Sequence, residues 1–119
     1  MKANLQATYT SNSDVQDELV DEFASRVRRE LGGKCTHIYW FGSRARGESR
    51  EDSDYDLFLE SSSKLTEDER NRVAAITVEL SGRHNIALDV HYGTSDRLRG
   101  PNRIMTPFRD ILLREGIPA

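Results

Sequence analysis

The sequence predicts an α/β (α+β) fold: one small mixed β-sheet with helices packed mainly on one of its faces. Three observations carry that prediction. Apolar residues recur every four positions at Val15, Leu19, Phe23, Val27 and Leu31. They alternate at Ile86, Leu88, Val90 and Tyr92, and two short apolar runs, 35–41 and 55–59, lie between these patterns. The first pattern belongs to an amphipathic helix, the second to a half-buried strand, and the runs to short strands. A chain of 119 residues is one domain, in which folding buries roughly 65% of the unfolded surface.

Residues 1–12 are polar and aperiodic and read as a flexible N-terminal tail, leaving 13–119 as a single domain. Ser13 with Gln16 has the form of a capping box opening the first helix, whose stripe Val20 and Ala24 widen. Gly32-Gly33 stops it. Cys35 to Phe41 reads as a strand ending at Gly42-Ser43, where a brief helical turn begins. Gly47 and a charged loop lead into the second strand, Tyr55 to Leu59, closed by Ser61-Ser62-Ser63. Thr66 with Glu69 forms another capping box, opening a helix with the stripe Val73, Ile76, Leu80 and an end at Gly82. The strand Ile86–Tyr92 follows, then a polar loop over 93–102 punctuated by Gly100-Pro101. Thr106 before Pro107 is an N-cap with proline at the first helical position. Phe108, Ile111 and Leu112 give the last helix its apolar side, and Gly116 ends it.

Composition excludes several classes. With a net charge of −3 the chain is no general adhesive for nucleic acid, although arginines bunch at 44, 46 and 50 and again at 97, 99 and 103. The second bunch, Arg97, Arg99 and Arg103, reads as a solvated loop, with a partner or RNA contact as the alternative. A single cysteine, Cys35, rules out an internal disulfide. No run approaches membrane-spanning length and no apolar stretch of signal-peptide type stands at the N-terminus, so a cytoplasmic protein is expected.

The chemistry gathers in the run Phe41–Leu57. Gly42-Ser43 is a turn where a phosphate can sit, and Asp54 and Asp56 follow it, separated by one residue. Along a strand alternate side chains share a face, so these carboxylates point the same way, roughly 6.5–7 Å apart at Cα. Asp89 lies mid-strand, out of phase with four apolar residues, and therefore also faces away from the core. If the two strands pair, three carboxylates converge. Two such charges 4 Å apart repel by about 4 kcal/mol at an effective dielectric near 20, a cost that bound cations relieve. Hard oxygen donors suit Mg²⁺ or Mn²⁺, and two ions would clamp an in-line phosphoryl displacement. Gly42 lets the backbone approach a phosphate, Ser43 adds a hydroxyl and an N–H, and Arg44 or Arg46 neutralises further charge. His91 stands two residues from Asp89, within reach of such ions, though a structural role is the more ordinary reading of one histidine. A calcium loop would need glycine and an acid where Leu57 and Ser63 stand. The Asp-x-Asp of sugar transferases belongs to much larger folds.

The run GSRARGESREDSDYDL, with Asp89 on a later strand, resembles the minimal nucleotidyltransferases of the DNA polymerase beta superfamily. The resemblance extends to the element order over 13–116 and implies the nucleotidyltransferase fold. It implies that Gly42 and Ser43 bind phosphate and that Asp54, Asp56 and Asp89 bind metal, all five being present. Members of this class resemble the antitoxin half of toxin–antitoxin pairs whose partner is a helical protein of the HEPN type. Some transfer AMP from ATP to a tyrosine of that partner. A Mg²⁺-dependent transfer of NMP from an NTP to a protein hydroxyl is therefore the expected activity. The alternatives are an antitoxin that acts by binding alone and the catalytic subunit of a two-chain enzyme.

Overall fold

The computed structural model describes residues 17–42, 44–47, 54–101 and 103–119. Its first helix, α1 (Glu18–Leu31), is capped by Asp17. Asp17 is in extended conformation, and its carboxylate accepts from the backbone N–H of Leu19 at 2.9 Å and of Val20 at 3.2 Å. That satisfies two of the N–H groups a helix start leaves open. Ser13, Gln16 and the predicted tail lie outside the described residues, as do Ser43 and positions 48–53. The fourfold spacing holds: Leu19, Val20, Phe23, Ala24, Val27 and Leu31 are all buried, each large side chain contributing about 1.5–3 kcal/mol.

A single 3₁₀ turn, Gly32–Lys34, leads into β1 (Cys35–Phe41). This strand pairs antiparallel with β2 (Tyr55–Ser61). Thr66 and Glu69 form the predicted reciprocal cap of α2 (Glu67–His84). Gly82 does not end that helix. One helical glycine costs only about 1 kcal/mol, and the end comes at Asn85, whose left-handed backbone (φ 53°) turns the chain. The Ile86 N–H donates to the Ser81 carbonyl (3.1 Å) and the Ser81 hydroxyl donates to the Ile86 carbonyl (2.6 Å). Ile86 is thereby held in the turn, and β3 (Leu88–Thr94) begins and ends two residues later than the alternation suggests. The predicted loop accordingly contains the last residues of β3 and a short helix, α3 (Ser95–Arg99).

Thr106 caps α4 (Pro107–Glu115), accepting from the Arg109 N–H at 3.2 Å. Only Leu112 of its expected apolar side is buried; Phe108 and Ile111 are each 41% exposed. A final two-residue strand, β4 (Ile117–Pro118), had no signal in the sequence. The sheet order is β3-β2-β1-β4, with β2 and β3 parallel and the other pairs antiparallel.

The main core lies between α1, α2 and one sheet face, where Phe23, Val27, Val73 and Leu80 meet Ile38, Leu57 and Leu59. On the other face Leu98 and Leu112, from α3 and α4, cover Tyr39 and Phe58. Beside them Glu60 of β2 is completely buried. Its carboxylate accepts from the Ser95 hydroxyl (2.6 Å) and from Arg99 Nε and a terminal guanidinium nitrogen, both at 3.0 Å. Burial pushes this carboxyl up, but those hydrogen bonds and the Arg99 charge outweigh it, and the group is held below the usual range. Glu60 thus fastens α3 to the sheet. The strand ends beyond this cover carry Asp56 and Asp89.

Candidate active site

Asp56 and Asp89 are each the second residue of their strands, and the parallel register places them side by side. Adjacent strands lie about 4.8 Å apart. Both residues are out of phase with the core residues Tyr55 and Leu57, so both carboxylates project from the face opposite α1 and α2. The His91 imidazole joins them: one ligand atom each from Asp56, Asp89 and His91 all lie within 4.8 Å of one another. His91 Nε2 is 3.3 Å from Asp89 Oδ2.

Three features shape this group. Gly42 directly follows Phe41, the β1 partner of Asp56, and has φ 87°. A Cβ at that position would run into the Asp56 carboxylate, so glycine meets both the backbone and the space requirement. Phe41 and Phe108 flank the His91 ring, with centroids 5.7 and 6.0 Å away. Gly93, one strand step beyond His91, leaves room for Phe58, whose ring would lie 2.7 Å from an added Cβ.

Electrostatics single out Asp56. Burial pushes its carboxyl above the usual range, Asp89 and Asp54 push the same way, and His91 and Arg46 partly counter them. Asp54 precedes β2, is exposed, and acts on Asp56 through its charge without a ligand atom in the three-residue group. Arg46 is exposed, in the turn after Gly42, on the side where its charge reaches Asp56. Arg44 turns elsewhere: its guanidinium lies 4.5 Å from the Tyr55 ring centroid and donates to the Tyr55 hydroxyl at 3.4 Å. That hydroxyl donates to Asp17 at 2.7 Å, and burial together with this bond pushes it up to about 12. Ser43, the other half of the predicted phosphate turn, lies outside the described residues.

The sequence contained the signal for His91, in phase with Asp89 on one strand, but not for its ring supports. Phe108 comes from a helix seventeen residues further on. A cavity of about 160 Å³ at the far end of β2 and β3, lined in part by Lys64, Arg70 and Tyr92, contains no acid in its wall. It plays no part in the carboxylate group.

The donor set fits a divalent cation. Two carboxylates and an imidazole converge at a surface where water and phosphate oxygens can complete a coordination shell, and the cation would offset the burial and repulsion that raise Asp56. Among the described residues no helix is long and apolar enough to cross a membrane.

No curated protein matches this sequence. Among solved structures, the fold is similar to one described as the crystal structure of the toxin-antitoxin with AMP-PNP. The TM-score is 0.57 at 19% identity, over 82% of this chain and 70% of that one. A family model, the nucleotidyltransferase domain, matches residues 20–112, which span every strand and carboxylate of the site except β4. The chain belongs to the nucleotidyltransferase domain family.

Proposed function

We propose that the protein transfers a nucleoside monophosphate, AMP in the first instance, from an NTP to a hydroxyl of a protein acceptor, as the antitoxin of a toxin–antitoxin pair. The carrying observation is the meeting of Asp56, Asp89 and His91 beside Gly42 within a nucleotidyltransferase domain. The fold likeness to a toxin–antitoxin structure holding AMP-PNP supports both the nucleotide and the protein partner. A helical HEPN-type partner follows from the resemblance of the sequence motif.

Asp56 and Asp89, with Asp54 at the rim, hold Mg²⁺ or Mn²⁺, as one ion or a pair. Bound there, such a metal would supply positive charge to the triphosphate and would acidify the acceptor hydroxyl. The turn at Gly42 and Ser43, with Arg46, receives phosphate oxygens; Arg44, engaged with Tyr55, steadies that turn. The acceptor oxygen forms a bond to the α-phosphorus as the bond to the β-phosphate bridge breaks. Pyrophosphate leaves, and the hydroxyl proton passes to Asp89. The test is incubation with labelled ATP, Mg²⁺ and the product of an adjacent small helical reading frame. A mass gain of one nucleotide on that product, lost in Asp56→Asn, supports the reading; none with wild-type protein contradicts it.

One observation favours neutralisation by binding as a second reading. Met105 is 70% exposed, and Ile104, Phe108 and Ile111, all within six residues of it along the chain, are part exposed. Apolar exposure of this kind suits a protein interface. If Asp56→Asn still neutralises the partner, binding alone is sufficient.

A further inference from the structure

Resting on the cation site just proposed, we infer that His91 is itself a ligand to the ion held by Asp56 and Asp89, and that its nitrogen makes the site favour Mn²⁺ over Mg²⁺. Three observations carry this. The His91 Nε2 to Asp89 Oδ2 distance of 3.3 Å is longer than a typical N–H···O bond. It is close to the separation of about 3 Å between neighbouring donors of an octahedral ion with bonds near 2.1 Å. Asp56 adds a third donor within 4.8 Å of both.

The ring is also positioned in advance. Phe41 from β1 packs at 56° to it and Phe108 from α4 at 45°, contacts that restrict the ring on two sides before any ion binds. The other histidines are engaged elsewhere: His37 lies 3.5 Å from Glu60, and His84 closes α2. Among the described residues the only candidate group of three or more metal donors is the one containing His91.

Donor chemistry then sets the preference. Mg²⁺ demands near-ideal octahedral geometry and sheds water reluctantly. An imidazole nitrogen is a better donor to first-row transition ions, of which Mn²⁺ is the weakest binder and the one that also shares the oxygen preference of Mg²⁺. Replacing one oxygen by a nitrogen therefore weakens the case for Mg²⁺ and strengthens that for Mn²⁺. If His91 serves only as a counter-charge to Asp89, no metal–nitrogen bond forms.

Pulsed electron paramagnetic resonance on the protein with Mn²⁺ alone separates these cases. The wild type should show ¹⁴N coupling from a directly bound imidazole, replaced by ¹⁵N coupling after histidine labelling and lost in His91→Ala. By calorimetry, His91→Ala should weaken Mn²⁺ on the order of tenfold and Mg²⁺ far less. His91→Gln keeps a polar side chain of similar reach as a folding control and should lose the Mn²⁺ preference equally. Mn²⁺ bound without nitrogen coupling, or a Mn²⁺/Mg²⁺ ratio unchanged in both variants, overturns this inference and leaves the carboxylate site standing. Failure of the wild type to bind Mn²⁺ at all overturns both.

Discussion

Asp56 and Glu60 lie on the same face of the same strand, four residues apart, and have opposite environments. Glu60 is fully buried, yet Arg99 and Ser95 hold its charge and it ionises readily. Asp56 is less buried, but burial with no hydrogen bond among the described residues to offset it, together with the Asp89 and Asp54 charges that His91 and Arg46 only partly counter, holds it above the usual range. Burial alone would order them the other way. The difference lies in partners: one carboxylate is completed by the fold, the other is left for something from outside the chain. A protein that leaves such repulsion in place at a surface, while neutralising a deeper charge nearby, has the arrangement expected of a binding site.

Asp56→Asn separates the two most sharply. Transfer should fall on the order of 10²–10³-fold, while the fold should become more stable at neutral pH without divalent metal. Loss of stability in a denaturant titration would mean Asp56 is a structural residue like Glu60. Arg99→Ala should do the reverse. It leaves Glu60 buried without its guanidinium partner, at a cost of about 3 kcal/mol, with transfer retained wherever the protein remains folded; urea unfolding checks the first and a rate measurement the second. Gly42→Ala acts on Asp56 through the backbone. The left-handed backbone costs about 1 kcal/mol, and displacement of the carboxylate by the new methyl should lower the rate more than it lowers stability.

The two ends of the strand should also respond oppositely to acid. Glu60 is held low, so its stabilisation is present above the ordinary carboxyl value, about 4.3, and is lost as pH falls through its folded value. Asp56 is raised, so the folded protein holds its proton more tightly. Stability falls as pH rises from the ordinary aspartate value, about 3.9, through that raised value, and the loss is complete above it. Melting temperatures against pH should therefore show Asp56→Asn gaining over wild type near neutrality and converging in acid. Glu60→Gln should lose near neutrality, with the deficit shrinking in acid. The smallest effect is expected of Tyr55→Phe, which removes the bond to Asp17 at about 1 kcal/mol by denaturant unfolding.

How much of this was legible in the sequence follows from the range of each interaction. The Thr66–Glu69 cap, Thr106 before Pro107 and the phase of Asp89 depend on neighbours a few residues away, and spacing reveals them. The end of α2 is not legible because Asn85, three residues beyond Gly82, adopts the left-handed turn that glycine ordinarily supplies. Glu60 escaped because its partner Arg99 is 39 residues distant and the surrounding strand is apolar. The arginine cluster at 97–103 contains Arg99, the residue that holds the buried Glu60 charge. At the site, pairing of the Asp56 and Asp89 strands was anticipated as a condition, but the parallel register and the aromatic support of His91 are tertiary facts.

The central claim is that a divalent cation with nucleotide completes the carboxylate group. The direct measurement is the melting temperature with Mg²⁺ and AMP-PNP, for wild type and for the Asp56→Asn, Asp89→Asn double variant. Wild type should be stabilised by about 2.7 kcal/mol at a hundredfold excess over the dissociation constant, and the double variant should not respond. An equal shift in both proteins, or none in wild type, would contradict the account.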